Sequence, residues 1–422
     1  MLLLKQVHIV DHRSAWNGQI VDIYIKNGKI DVIGQDLEAA GAKVFEANGA
    51  CVSVGWLDVG TQIGDPGFEH KEDFLSASEA AAAGGFTAVA CQPNTHPTIH
   101  SKSEVLYIKN RTRGNIVDFY PIGAISENCD GKDIAELFDM HTHGAVAFSD
   151  GRKSIQNNGL MLRALLYTKP FDGLIINHPH DKDIASSGIV HEGVVSTSLG
   201  MKGIPSLSEE MMIQRDLHLV EYADAKIHFS NISTEGAVQL IRGAKANGLN
   251  VTASVNPMNL MFTDEVLTGF DTNYKVNPPI REASDRQALV EGLKDGTIDF
   301  IETHHTPQDI ENKNLEFGYA EYGVTMLETA FSVIQAAVEN QLSTSEIIEK
   351  IAIQPRQVLG LEVPTIETGS DANLTIFAPD LTWKYDKTYS KSHNSPFLGK
   401  ELATNNNRLS EYSRSTIDKE VK

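Results

Sequence analysis

Cysteine, positive charge and long apolar runs are all scarce in this chain. Three cysteines in 422 residues, Cys51, Cys91 and Cys129, exclude a disulfide framework. Their spacing matches no zinc pattern, and both points fit a reducing compartment. Lysine and arginine total 36 against 56 aspartate and glutamate residues, a net charge of -20. That deficit argues against nucleic acid or an anionic membrane as partner, because both need clustered basic residues. No segment approaches the apolar length of a membrane span. The apolar start Met1–Val10 lacks the basic beginning and long apolar core of a signal peptide, so it reads as a first strand of a cytoplasmic protein.

What is present is ordinary for a soluble globular protein, with 41% hydrophobic and 22% charged residues. The length allows one large domain and a small one. Residues 1–50 alternate apolar and polar side chains around Gly18, Asn27-Gly28 and Gly34, and Asn-Gly between such runs is a hairpin signal. Short apolar runs then alternate with helical stretches. The pattern predicts strands at Cys51–Leu57, Phe86–Cys91, Val117–Ile122, Ala145–Phe148, Gly173–Ile176, Lys226–Phe229, Asn250–Ala253 and Asp299–Ile301. Amphipathic helices are predicted at Ser208–Tyr222, Thr234–Ala246 and Asp285–Asp295. This is the pattern of an α/β fold, a (β/α)8 TIM-type barrel over residues 51–368 with its active site at the strand ends. From Gly369 the chain returns to short strands, so residues 1–50 and 369–422 are expected to form a small β-sandwich domain. The polar tail after Ala403 is expected to be mobile.

Several stretches resemble a known family. They are Pro66-Gly67-Phe68-Glu69-His70-Lys71-Glu72-Asp73, Ala82-Ala83-Gly84-Gly85-Phe86-Thr87 running into Gln92-Pro93-Asn94-Thr95, Gly200-Met201-Lys202-Gly203-Ile204-Pro205 with Glu209, Lys275-Val276-Asn277-Pro278-Pro279-Ile280-Arg281, and Asp295-Gly296-Thr297-Ile298-Asp299. Together they resemble the dihydroorotases, cyclic amidohydrolases of pyrimidine synthesis, over nearly the whole chain to Ser390–Phe397. These are mainly scaffold motifs, and a scaffold does not by itself carry activity.

The resemblance implies a zinc site, and its ligand positions are altered here. In the family the first barrel strand runs into Asp-x-His-x-His-x-Arg; in Asp58-Val59-Gly60-Thr61-Gln62-Ile63-Gly64, Gly60 and Gln62 stand on the histidines and Gly64 on the arginine that clamps the substrate carboxylate. His178 matches the histidine ending the fifth strand, while Asn231 replaces the histidine of His-x-Ser-Thr. In Thr303–Gln308, His304 stands on the aspartate that is zinc ligand and proton shuttle, and Gln308 on the final histidine of Thr-Asp-His-Ala-Pro-His. Phe148-Ser149-Asp150-Gly151 shortens the family's Phe-Ser-Asp-Asp-Gly, and Pro257-Met258-Asn259-Leu260 stands for Pro-His-His-Leu. Asn94 and Asn277 match substrate-binding asparagines and are retained.

Zinc lowers the pKa of bound water from roughly 15.7 to about 7, on the order of 12 kcal/mol as an upper bound. A lone general base contributes only about 10²–10⁴-fold. No catalytic residue and no cofactor are therefore expected. His178, His180, His304, His305 and Asp150 are candidates for a displaced metal site or remnants filling a former metal cavity. His141 and His143 are expected at a helix end, and Lys71-Glu72-Asp73 as a charged helix start. The leading expectation is a non-catalytic homologue with a structural or regulatory role in pyrimidine biosynthesis, with aspartate transcarbamoylase as partner and a homodimer as default state. The alternatives are an active amidohydrolase with a relocated metal and a protein that binds pyrimidine intermediates, Asn94 and Asn277 lining its pocket.

Overall fold

The computed structural model describes residues 1–403, so the tail expected to be mobile lies outside the described residues. Eight parallel strands follow one another in sheet order as they do in sequence: Trp56–Thr61, Phe86–Cys91, Asp118–Gly123, Ala147–Phe148, Ile175–Asn177, Ile227–Phe229, Val251–Val255 and Phe300–Ile301. The ends of the series meet through Asp58, whose carboxylate accepts from Thr303 N at 2.6 Å and Thr303 Oγ1 at 2.8 Å, and through Gln62 N donating to His305 O at 2.9 Å. Leu57, Val59, Ala88, Ala90, Ile122, Ala147, Leu174, Ile176 and Phe300 fill the barrel interior. Trp56, Phe86, Val89, Ile175, Ile227 and Val251 belong to the larger core that includes the surrounding helices. This in-and-out alternation is what a sheet closed on itself requires.

The predicted first strand, Cys51–Leu57, is two strands. Cys51–Val54 pairs with Leu2–Ile9 and with Leu374–Phe377, so it belongs to a six-stranded sheet built from both chain ends. Only from Trp56 onward is the chain barrel strand. The apolar run across both segments hid the break. The six-stranded sheet has strands of mixed direction, and a separate two-stranded sheet pairs Thr382–Lys384 with Glu401–Ala403.

The expected helices form as Leu207–Ala223, Glu235–Ala246 and Ala283–Lys294. Thr234 caps the second, accepting from Ala237 N. Asp73 caps Phe74–Ala83 in a capping box with Ser76. Its neighbour Glu72 stands at the expected helix start but is fully buried, accepting from Ser76 Oγ, Ser390 Oγ and Lys391 N. Glu72 and Glu328 thereby pin the segment near residue 390 against the barrel. Among the described residues no helix is long and apolar enough to cross a membrane.

Candidate functional site

The strand ends converge on a polar mouth whose floor joins the first and eighth strands. The pairing register shifts between Val59 and Thr61, and Gly60 adopts φ 84°, the signature of a bulge that favours glycine. A Cβ at position 60 would lie 2.6 Å from Glu302 Oε2 and 3.0 Å from Gln92 Nε2. Glu302, one residue beyond the eighth strand, therefore fills the space beside the first ligand position. Its Oε1 accepts from Ser230 Oγ at 2.8 Å, Asn231 N at 3.1 Å and Ser254 Oγ. Burial pushes this carboxyl up to about 8, against the pull of those donors. The motif comparison passed over Glu302, although inward alternation from Phe300 pointed to it.

Gln62 reaches a second side chain that the sequence reading missed. Arg152 Nη1 lies 3.5 Å from Gln62 Oε1, and Nη2 donates to Tyr322 O at 3.2 Å. Asn94 holds the loop that presents this arginine: its Nδ2 donates to Asp150 O at 3.0 Å, and its Oδ1 accepts from Arg152 N at 3.1 Å. Both polar ends of Asn94 are thus committed to the loop. Asp150 also faces away from the mouth, since its carboxylate accepts from Ile125 N and Ser126 N, each at 2.9 Å, and from Ser126 Oγ. At Gly64, where the family clamp would start, a Cβ would overlap the carbonyl oxygen of Phe68 and lie 2.7 Å from that of Glu72. Gln308 bridges Lys71 Nζ (2.8 Å) and Tyr322 O (2.9 Å).

The histidines divide into two groups. His178 lies in the mouth, its ring centroid 6.1 Å from that of His180 and 6.4 Å from that of His304. Burial holds His178 down to about 3 and His304 well below the usual imidazole range, and Arg152 adds to both effects. Burial, then the charge of Arg281, also lowers His180. His305 points elsewhere: its Nδ1 accepts from Met326 N at 3.1 Å, and its Nε2 faces Glu72 at 3.4 Å. Asn277 neighbours His178, and its buried Oδ1 has no hydrogen-bond partner. His141 and His143 sit at the end of the helix Leu137–Thr142, His143 Nδ1 against Asp139 O at 2.7 Å.

The five metal candidates do not converge. Among the described residues, one group brings three ligand-type atoms within 4.8 Å, and it is His191, Glu282 and Asp285. Arg281 Nη1 donates to His191 Nδ1 at 3.1 Å, so a neutral His191 carries its proton on Nε2 and offers a metal no lone pair there. Arg281 also bonds Ser233 Oγ (3.1 Å) and Ile204 O (2.9 Å) and lies 3.7 Å from Glu209, a buried network that ties loops together.

Comparison with known proteins agrees with this architecture. Residues 50–237 match the family model described as Dihydro-orotase-like. The dihydroorotase of Acetivibrio thermocellus is 42% identical over 408 residues, spanning 95% of each chain. The chain belongs to the dihydroorotase family. Another dihydroorotase, from Pelotomaculum thermopropionicum, is 43% identical over 405 residues, again 95% of both chains. Among solved structures, the L-hydantoinase (dihydropyrimidinase) of Arthrobacter aurescens superposes with a TM-score of 0.82 at 25% identity, covering 96% of this chain and 93% of its own. Within the dihydroorotase family, therefore, the amidohydrolase-type barrel is kept while the mouth has the contents described above.

Proposed function

We propose that this member of the dihydroorotase family carries out no metal-dependent hydrolysis and serves pyrimidine biosynthesis as a structural or regulatory subunit, with aspartate transcarbamoylase as its partner. The observation that carries this reading is the Arg152 guanidinium beside Gln62, within electrostatic reach of His178 and His304. A fixed positive charge there repels a divalent cation. The donor set does not fit zinc either: of the altered family positions, Gly60 offers no atom, Gln62 and Asn231 offer amides, and zinc takes imidazole, thiolate or carboxylate. Glu302 alone supplies no substitute: its Oε1 takes three donors, and the imidazoles that would share a metal with its other oxygen, beside Gly60, are absent at positions 60, 62 and 231.

The reading is tested by metal analysis of purified protein, by assay of dihydroorotate hydrolysis and its reverse with added zinc, and by co-purification with the transferase. No bound zinc, no turnover and a stable complex are expected; a transferase that assembles and works fully without this chain contradicts the subunit role. A relocated metal would draw on His178, His180, His304, His305 and Asp150, two of which have turned their ligand atoms to other partners. Arg152 itself favours a further reading, in which the mouth binds a small molecule without turning it over.

A further inference from the structure

The helix Leu207–Ala223 is apolar on two sides. Ile213, Val220 and Ala223 pack into the core between the barrel and its helices. On the solvent side Leu207, Met211 and Tyr222 are 51%, 50% and 77% exposed. With His218 they follow one another at helical spacing and form a single outward stripe. Beside that stripe a groove of about 540 Å³ runs against the helix Glu235–Ala246. Its floor is apolar, made by Leu217, Leu240, Ala244 and Leu249. Two glycines of the second helix hold it open. A Cβ at Gly236 would meet Glu210 Oε1 at 2.4 Å, and a Cβ at Gly243 would meet nothing within 4 Å. Glycine inside a helix weakens it relative to alanine, and neither a positive φ nor a close neighbour requires glycine at 243. A floor free of side chains is what close approach of another chain requires.

The groove also carries charge of one sign. Glu210 and Glu221 line it about three helical turns apart, so both carboxylates stand on one side of the helix, about 16 Å apart along its axis. The cations of the two helices are committed elsewhere: Arg215 to Asp216 and Ile155 O, Arg242 to Asp295, and Lys245 to Asp299. Among the described residues no lysine or arginine lies within ion-pair distance of Glu210 or Glu221.

We propose that this groove docks an amphipathic helix of a protein partner. The apolar side of that helix rests on Leu217, Leu240 and the ridge from Met211 to Tyr222, and two of its basic side chains, about three turns apart, meet Glu210 and Glu221. The occupant is helical because no sheet edge borders the groove. An extended segment would lay unpaired backbone groups on an apolar floor, whereas a helix satisfies its own. A second copy of this chain fits less well, since a two-fold contact pairing Leu207–Ala223 with itself sets Glu210 and Glu221 against the same carboxylates. The site lies on the outer wall of the barrel, between the helices that follow the fifth and sixth strands. The inference takes from the subunit reading only the existence of a partner.

The probe is a labelled synthetic helix of about 18 residues, with leucines along one face and two lysines about three turns apart, titrated onto the full chain by fluorescence anisotropy. Saturable binding is expected, weakened about 10-fold or more by Glu221→Lys and falling as salt is raised. Gly243→Leu should abolish binding by filling the groove. It should melt no lower than the wild type, because leucine enters open space and is the better helix former. The same peptide with glutamates in place of lysines should not bind. No saturable binding to the wild type, equal binding of the glutamate peptide, or undiminished binding to Gly243→Leu overturns the inference. So does a wild-type dimer, seen by sedimentation velocity, that Gly243→Leu dissociates, since the groove is then a contact between copies. Failure of the transferase to co-purify with a chain that binds the peptide contradicts the subunit reading alone, so the two failures are distinguishable.

Discussion

Gly60→Ala is the sharpest perturbation of this mouth. The backbone there has φ 84°, a conformation that costs a residue with a Cβ about 1–2 kcal/mol. The added methyl would also stand 2.6 Å from Glu302 Oε2. The carboxyl cannot swing aside cheaply, because its other oxygen accepts from Ser230, Asn231 and Ser254; overpacking of this kind typically costs about 1–3 kcal/mol. The sum is a destabilisation of about 2–5 kcal/mol. A double-mutant cycle with Glu302→Ser, read by chemical denaturation, separates the parts. The clash should vanish in the double mutant, while the backbone strain should remain. Coupling of about 1–3 kcal/mol is therefore expected. A tolerated Gly60→Ala, or equal destabilisation in both backgrounds, would refute the packing of this floor. The same overlap would confront a histidine at position 60, so restoring that one residue should not rebuild a ligand.

Other outcomes follow from neighbouring contacts. Burial, with Glu72 adding to it, raises Glu328 from 4.5 to about 7, so the folded state binds this proton more tightly. Its stabilising contribution is complete below pH about 4.5 and is lost as pH rises through about 7. Glu328→Gln should therefore gain on the wild type by about 3 kcal/mol between those limits in denaturation curves; a pH-independent difference contradicts this. Glu209→Ala leaves Arg281 buried without its nearest carboxylate and should cost about 3–5 kcal/mol, measured in the same way. Asn94→Ala removes both ties on the Arg152 loop and should speed amide exchange at residues 150–153, without the ligand-independent silence expected of a pure pocket residue.

The barrel and the terminal sheet were legible in the sequence because each strand is a compact apolar run between turn residues. The join at Gly55 was not, because Cys51–Val54 and Trp56–Thr61 are equally apolar and only pairing partners distinguish them. Motif comparison located Gly60, Gln62, Gly64, Asn231, His304 and Gln308. It could not reveal Arg152, whose inward turn depends on Asp150 being held by the amides of Ile125 and Ser126 and on Asn94 gripping the loop. His305 and Glu72 read as a strand-end ligand candidate and part of a charged helix start. Tertiary contact with the segment near Ser390 and with Met326 turned both into buried supports.

The central claim is that an arginine and a buried carboxyl occupy the mouth in a way that leaves no place for zinc. Metal analysis of protein purified without chelator and then equilibrated with zinc, paired with assay of dihydroorotate turnover on the same sample, tests it most directly. The account predicts well under one zinc per chain and no turnover. Stoichiometric zinc together with hydrolysis would contradict it.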